Sequence, residues 1–196
     1  MVLNDADIRA LIVSNQLIEY PDKPYDVCPE QYEQSIQPGS YDLTLGDDFK
    51  RIKTIDCIFP NKSYVELSDK VEYVEVPYYG PSYDGVTIGA GEFMLGVTNE
   101  IVNIPDDLSA FLEGRSSVGR AGLFIHNAGW IDSGFKGQIV LELYNCSPNP
   151  IRLTKDVRIA QIVFTKMTGV AENPYNGKYQ NQKHTVGSRL YQDFIS

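Results

Sequence analysis

Apolar residues in this chain change their period near residue 36. Before it, Ile8, Leu11 and Ile12 recur at helical spacing behind Asn4 and Asp5, either of which can cap the turn with a side-chain oxygen. A short N-terminal helix is predicted, with Asn15 as its stop, and Pro21, Pro24 and Pro29 then force a loop. From Ile36 onward the period is two. Tyr41, Leu43 and Leu45 alternate with Asp42 and Thr44 before Gly46, which predicts a half-buried strand running into a turn. Residues 71–76 alternate apolar and acidic side chains, and 93–97, 108–112, 138–144 and 158–164 are further strand candidates. Between them, 78–91 is rich in Gly, Pro and Tyr and reads as a surface excursion.

Short strands at regular spacing with few helices predict a mainly β fold, a sandwich or a jelly-roll-like barrel. At 196 residues the chain suits one domain with a real core. No repeat or low-complexity tract divides it. Residues 173–196 are polar and contain glycine, so a mobile tail or a lid is expected there.

Charge narrows the function. A formal net charge of −9 repels phosphate backbones and disfavours nucleic-acid binding. It leaves a single nucleotide open, because a few Arg and Lys residues in a pocket can hold one triphosphate, together with a divalent cation. Cys28, Cys57 and Cys146 are scattered and odd in number, which argues against a disulfide framework or a zinc site and for a reducing compartment. The N-terminus has no basic-then-apolar leader and no apolar run is long enough for a bilayer, so a cytoplasmic protein without membrane contact is expected.

Two clusters carry candidate chemistry. In Glu113 to Arg120, a glycine precedes Ser116 and Ser117, and Arg115 and Arg120 bracket them. Either serine can cap a short helix whose free N–H groups face an anion, with Arg115 offering a planar fork to phosphate oxygens. A capped turn with solvent-facing arginines fits the same spacing. In Gly129 to Asn145, three glycines surround Trp130, Asp132 and Phe135, suggesting a hairpin that a ligand approaches closely. In the strand that follows, Glu142 shares a face with Val140 and Tyr144, opposite Leu141 and Leu143. A carboxylate there is either on the wet face or functional, because burying it unpaired is costly.

Taken together, Ile36 to Gly46, Glu113 to Gly122, Ala128 to Asn145, Arg158 to Phe164 and Gly177 to Gln182 resemble the dCTP deaminase branch of the dUTPase superfamily. The segments span nearly the whole chain in the family's order. The resemblance implies a distorted jelly-roll or β-barrel of the dUTPase type with a short N-terminal helix. It implies one domain over 1–196 with a C-terminal lid over 173–196, and a homotrimer with active sites between subunits. Mg²⁺ is implied as cofactor, bound through the triphosphate with no protein metal ligand. Glu142 matches the general acid/base, and Ser116 and Arg120 the groups that hold the attacking water and the leaving amine. Arg115 and Ser117 match phosphate ligands, and Asp132 the reader of the deoxyribose 3′-hydroxyl. Tyr175, Lys178 and Gln182 match the segment that closes over the phosphates, and Val140 and Trp130 join the substrate-binding set.

The reaction implied is zinc-free deamination of dCTP at cytosine C4. The other deaminase chemistry needs an H-x-E and a C-x-x-C signature, whereas His126 and His184 are the only histidines and no two cysteines lie close. Asn127 to Trp130 resembles the bifunctional members that carry dUTP on to dUMP and pyrophosphate. A deaminase that releases dUTP, a dUTPase alone and a silent nucleotide sensor are the rival readings. dTTP is the feedback inhibitor the resemblance implies. His126 is read as structural more readily than as a switch near neutral pH, Trp130 either walls the pyrimidine or packs the hairpin, and Lys183 and His184 touch phosphate or lie in a solvated tail.

Overall fold

The computed structural model describes residues 1–14, 17–20, 29–53, 70–78, 85–126 and 129–195. Helix α1 (Asp5–Val13) begins where the sequence places it: Asn4 accepts the Asp7 N–H on its side-chain oxygen at 2.8 Å, and Ile8 and Ile12 are buried. It ends at Ser14; Asn15 lies outside the described residues. A second helix, α2 (Pro29–Ser35), starts at a proline read as part of a loop. Proline at the first helical position loses no intrahelical hydrogen bond, so Pro29 opens a helix as readily as it breaks one. Pro21 and Pro24 are outside the described residues.

The rest is mainly antiparallel sheet. The strands are β1 (Ile18–Glu19), β2 (Ile36–Gln37), β3 (Ser40–Thr44), β4 (Phe49–Ile52), β5 (Tyr73–Val76), β6 (Val86–Ile88), β7 (Phe93–Asn103), β8 (Leu108–Gly114), β9 (Leu123–His126), β10 (Trp130–Ile131), β11 (Lys136–Asn145), β12 (Ile151–Leu153) and β13 (Arg158–Lys166). A third helix, α3 (Ser116–Arg120), joins β8 to β9. One sheet runs β5-β4-β7-β11-β9, with β1 also on β7; a second runs β10-β8-β13-β3-β2; β6 and β12 pair separately. The bridge between Leu45 and Thr98 links the two larger sheets.

Period-two patterning explains the core. In β11, Ile139, Leu141 and Leu143 point inward, while Gln138, Val140, Glu142 and Tyr144 take the other face. β13 contributes Ile159, Ala160, Ile162 and Phe164, and α1 lays Ile8 and Ile12 on the same core.

Three expectations need correction. β3 is buried on both faces, Asp42 and Thr44 included. Its polar side chains are inside because each has partners: Arg115 and Arg158 at Asp42, and Glu100 at Thr44. The Gly129–Gly137 region is no hairpin either. β10 pairs with β8 in one sheet and β11 with β7 and β9 in the other, so the chain crosses between sheets at residues 132–135. Of the 78–91 excursion, the part containing β6 is strand with Val86 and Ile88 buried; 79–84 lie outside the described residues.

Candidate active site

Strand β11 is irregular where it matters. Its register against β7 shifts between Gln138 and Val140. There Ile139 N–H donates to the Thr98 hydroxyl at 3.0 Å, and that hydroxyl donates to the Glu100 carbonyl at 2.9 Å. A side chain thus satisfies a backbone donor that a regular ladder would have used. Beyond the bulge the ladder resumes and pairs Glu142 with Leu95 on one side and His126 on the other.

On this outward face lies a cavity of about 530 Å³ whose walls include Leu95, Leu112, Val140, Trp130, Asp132 and Glu142. That volume suits a small-molecule site, which typically spans roughly 300–1,000 Å³. The two carboxylates stand in a wall that is otherwise mostly apolar. Asp132 sits in the turn after β10 and accepts the Trp130 indole N–H at 2.7 Å. The indole meets Phe111 edge to face, 4.8 Å between ring centres.

The chain's own C-terminal segment forms another wall, with Tyr175, Tyr179, Gln182 and Ser188, and Ile52 and Tyr73 of β4 and β5 also line the cavity. Gln138 is its main anchor. Its backbone N–H donates to Gln182 O at 3.0 Å, and its carbonyl accepts from the Gln182 side chain at 2.8 Å. Its own side-chain oxygen accepts the His184 N–H at 2.8 Å. Thr185 is buried and bonds Asp48 twice. The Tyr73 hydroxyl accepts the Ser188 N–H at 3.1 Å, and Tyr179's accepts that of Arg189 at 2.9 Å. A 3₁₀ helix over Leu190–Phe194 ends the described chain. The residues expected to be a mobile tail or lid are folded against the body.

Gly134 shows why. Its φ is +82°, and a Cβ there would come within 2.6 Å of the Pro174 Cβ. The close approach expected of a ligand at these glycines is made by residues 174–175 of the same chain, with the Tyr175 N–H donating to Ser133 O at 2.8 Å.

The second cluster lies elsewhere. α3 is capped by Arg115, which makes no side-chain cap bond, so neither serine caps it. The Ser116 hydroxyl instead accepts from Arg120 Nε at 3.3 Å. Arg115 is turned toward β3 and β13: it reaches Asp42 at 3.2 Å and donates to the Arg158 carbonyl at 3.0 Å. Burial pushes the Asp42 carboxyl above its ordinary pKa, against the pull of Arg115 and Arg158. Ser116, Ser117 and Arg120 are exposed and do not line the cavity. Lys178 is also outside it, paired with both Asp193 oxygens at 2.6 and 2.7 Å. Within one chain, therefore, Glu142, Asp132, Trp130, Val140, Tyr175 and Gln182 converge, while Arg115, Ser116, Ser117, Arg120 and Lys178 do not.

Lys183 and His184 are exposed, with His184 Nδ1 3.6 Å from Asp48. The His126 side chain, Asn127, Ala128, Cys28 and Cys57 lie outside the described residues, and Cys146 is a free, exposed thiol. Among the described residues no three His, Cys, Asp or Glu side chains gather in a metal-binding group, and no helix is long and apolar enough to cross a membrane.

Sequence spacing missed Thr98, Gln138, Tyr73 and Thr185, because each acts on a partner about forty or more residues away. It also missed Glu100, which is fully buried on β7. There it accepts from Tyr20 Oη at 2.8 Å and from the Thr44 hydroxyl at 2.7 Å. Burial raises its pKa to about 7, against the opposing bonds from Thr44 and Tyr20. Burial beside this carboxyl also raises Tyr20 and Tyr41 well above the usual phenol range.

The dCTP deaminase-like family model matches residues 2–167. A protein of Persephonella marina named dCTP deaminase, dUMP-forming is 43% identical, covering 98% of this chain and 99% of that one. A protein of the same name from Aquifex aeolicus is 37% identical over 98% of this chain and 97% of its own length. One from Halorubrum lacusprofundi, named dCTP deaminase, is 38% identical over 98% and 93%. The crystal structure of 2′-deoxycytidine 5′-triphosphate deaminase from Agrobacterium tumefaciens shares the fold, with a TM-score of 0.58 at 23% identity. That match covers 83% of this chain and 46% of the other. On the strength of a match that runs through almost its entire length, this chain belongs to the dCTP deaminase-like family.

Proposed function

We propose that this protein deaminates dCTP and hydrolyses the resulting dUTP, releasing ammonia, dUMP and pyrophosphate. The observation that carries this reading is Glu142, a half-buried carboxylate in the mostly apolar wall of a nucleotide-sized cavity. The names of the relatives at 43% and 37% identity support the same pair of reactions.

Deamination needs a proton removed from water as its oxygen attacks cytosine C4, and a proton returned to the amine as the C4–N bond breaks. Glu142 serves both steps as base and then acid, so the carboxylate ends as it began. Ser116 and Arg120 hold the water and the departing amine. Asp132 accepts the 3′-hydroxyl and positions the water that attacks phosphorus in the second reaction. Val140 and Trp130 face the nucleoside, Arg115, Ser117 and Lys178 hold phosphates, and Tyr175 and Gln182 belong to the 173–196 lid.

Exposed Ser116, Ser117 and Arg120 outside the cavity fit a homotrimer in which one copy supplies α3 to the cavity of its neighbour. One domain over 1–196 carries both halves of such a site. Mg²⁺ would be held through the triphosphate and would offset its charge, because a hard cation that keeps its waters needs no cage of protein ligands. On this chain the Lys178 ammonium suits the triphosphate oxygens rather than the ion, since it offers three donors and no acceptor. dTTP competes for the same cavity as an inhibitor, and the cytoplasm is the compartment.

The test is incubation of the purified protein with dCTP and Mg²⁺, followed by chromatographic separation. Release of dUMP and pyrophosphate is expected. dUTP as the end product would leave a deaminase alone, and untouched dCTP with consumed dUTP a dUTPase. Binding without turnover would leave a sensor.

A further inference from the structure

We propose that Trp130 is the positioning residue for Asp132, and that through this carboxylate it sets how strongly the site selects a sugar bearing a 3′-hydroxyl. This rests on the reading of the cavity as a deoxynucleotide site.

Trp130 and Asp132 are two apart at the end of an extended segment, with buried Ile131 between them, so both side chains leave the same face. Both line the cavity. The indole N–H donates to one carboxylate oxygen, Oδ1, at 2.7 Å, and among the described residues it is the hydrogen-bond partner of that carboxylate. An indole N–H is a donor only, so it cannot take a hydroxyl proton from substrate. It can hold Oδ1 and turn Oδ2 toward the cavity.

The indole's own orientation has a separate origin. Trp130 pairs with Phe111 across β10 and β8, and the two rings meet at 89° with centres 4.8 Å apart. The ring is thus set by packing, and its N–H is aimed before any ligand arrives. A carboxylate on a turn otherwise samples several rotamers, and each must be frozen on binding. Once a nucleotide excludes water, a hydrogen bond to a charged acceptor gains strength.

Trp130→Phe keeps an aromatic ring at this position while removing the N–H and part of the indole's bulk, and any effect of the lost bulk on substrate packing falls on both substrates alike. The full-length protein, W130F, Asp132→Asn and the double variant are compared with two substrates, dCTP and 2′,3′-dideoxycytidine triphosphate, which lacks the 3′-hydroxyl. The readout is the ratio of the two kcat/KM values within each preparation, so a loss of folded protein cancels. The parent is expected to favour dCTP, and W130F to lower the ratio roughly tenfold, as loss of a bond to a charged group predicts. The double variant is expected to fall no further than D132N.

An unchanged ratio in W130F beside a lowered one in D132N overturns the positioning role while leaving Asp132 as the sugar reader. Equal losses with both substrates also overturn it, and make Trp130 a wall or a packing group. A parental ratio in D132N removes the reading of Asp132 itself, and the role of Trp130 with it.

Discussion

Replacing Glu100 with glutamine should change how stability depends on pH, in a direction the structure dictates. The carboxyl is fully buried and accepts hydrogen bonds from Tyr20, from the Thr44 hydroxyl and from the Thr44 N–H, the last at 3.0 Å. Burial lifts its pKa from 4.5 to about 7. The folded protein therefore holds this proton more tightly than the unfolded chain does. Below about pH 4.5 both states are protonated and the contribution is fully present. Between there and pH 7 the unfolded chain ionises first, so stability is lost as pH rises through the folded value.

Each pH unit by which a pKa moves is worth about 1.4 kcal/mol, so the full effect is about 3 kcal/mol. For a chain of this size that is roughly 6–12 °C in Tm. Glutamine has no proton to lose, and it keeps an acceptor for Tyr20 and Thr44. Urea or thermal unfolding of the parent and Glu100→Gln should be followed from pH 4.5 to 8. Subtracting one curve from the other removes the contribution of every other titrating group. The parent should lose about 3 kcal/mol relative to the variant across that window. A difference that stays constant with pH would refute a carboxyl neutralised by burial.

Glu142→Gln should lower dCTP deamination by roughly 100- to 10,000-fold while nucleotide binding remains measurable by calorimetry; parental turnover would remove Glu142 as the acid/base. Asp193→Asn frees Lys178 from its carboxylate partner, and the KM for the triphosphate should fall by up to about fivefold, the worth of a partly exposed ion pair. An unchanged KM would mean that Lys178 does not meet phosphate. Gly134→Ala forces a side chain into a left-handed turn against Pro174. It should cost about 1–3 kcal/mol in unfolding experiments and speed limited proteolysis within 173–196. A variant as stable and as resistant as the parent would show that the tail does not depend on that approach.

Much of this molecule was legible in one dimension. A cap at Asn4 or Asp5 follows from side-chain chemistry, and Ile8 and Ile12 on the buried face of α1 and Glu142 opposite Leu141 and Leu143 follow from periods of 3.6 and 2. Local geometry is enough there, because a strand's alternation assigns its side chains to two faces whatever the strand packs against. Tertiary structure decided what each face meets. Asp42 and Thr44 read as a wet face, yet partners supplied by Arg115 at the start of α3, by β13 and by β7 bring both inside. The glycines at 134 and 137 read as room for a ligand, and the chain's own residues 174–182 fill it. Trp130 and Asp132 are neighbours in sequence, but their hydrogen bond depends on Phe111 fixing the indole. Burial, and with it the charge state of a group such as Glu100, is a property of contacts between residues tens of positions apart. Spacing along the chain carries no record of those contacts.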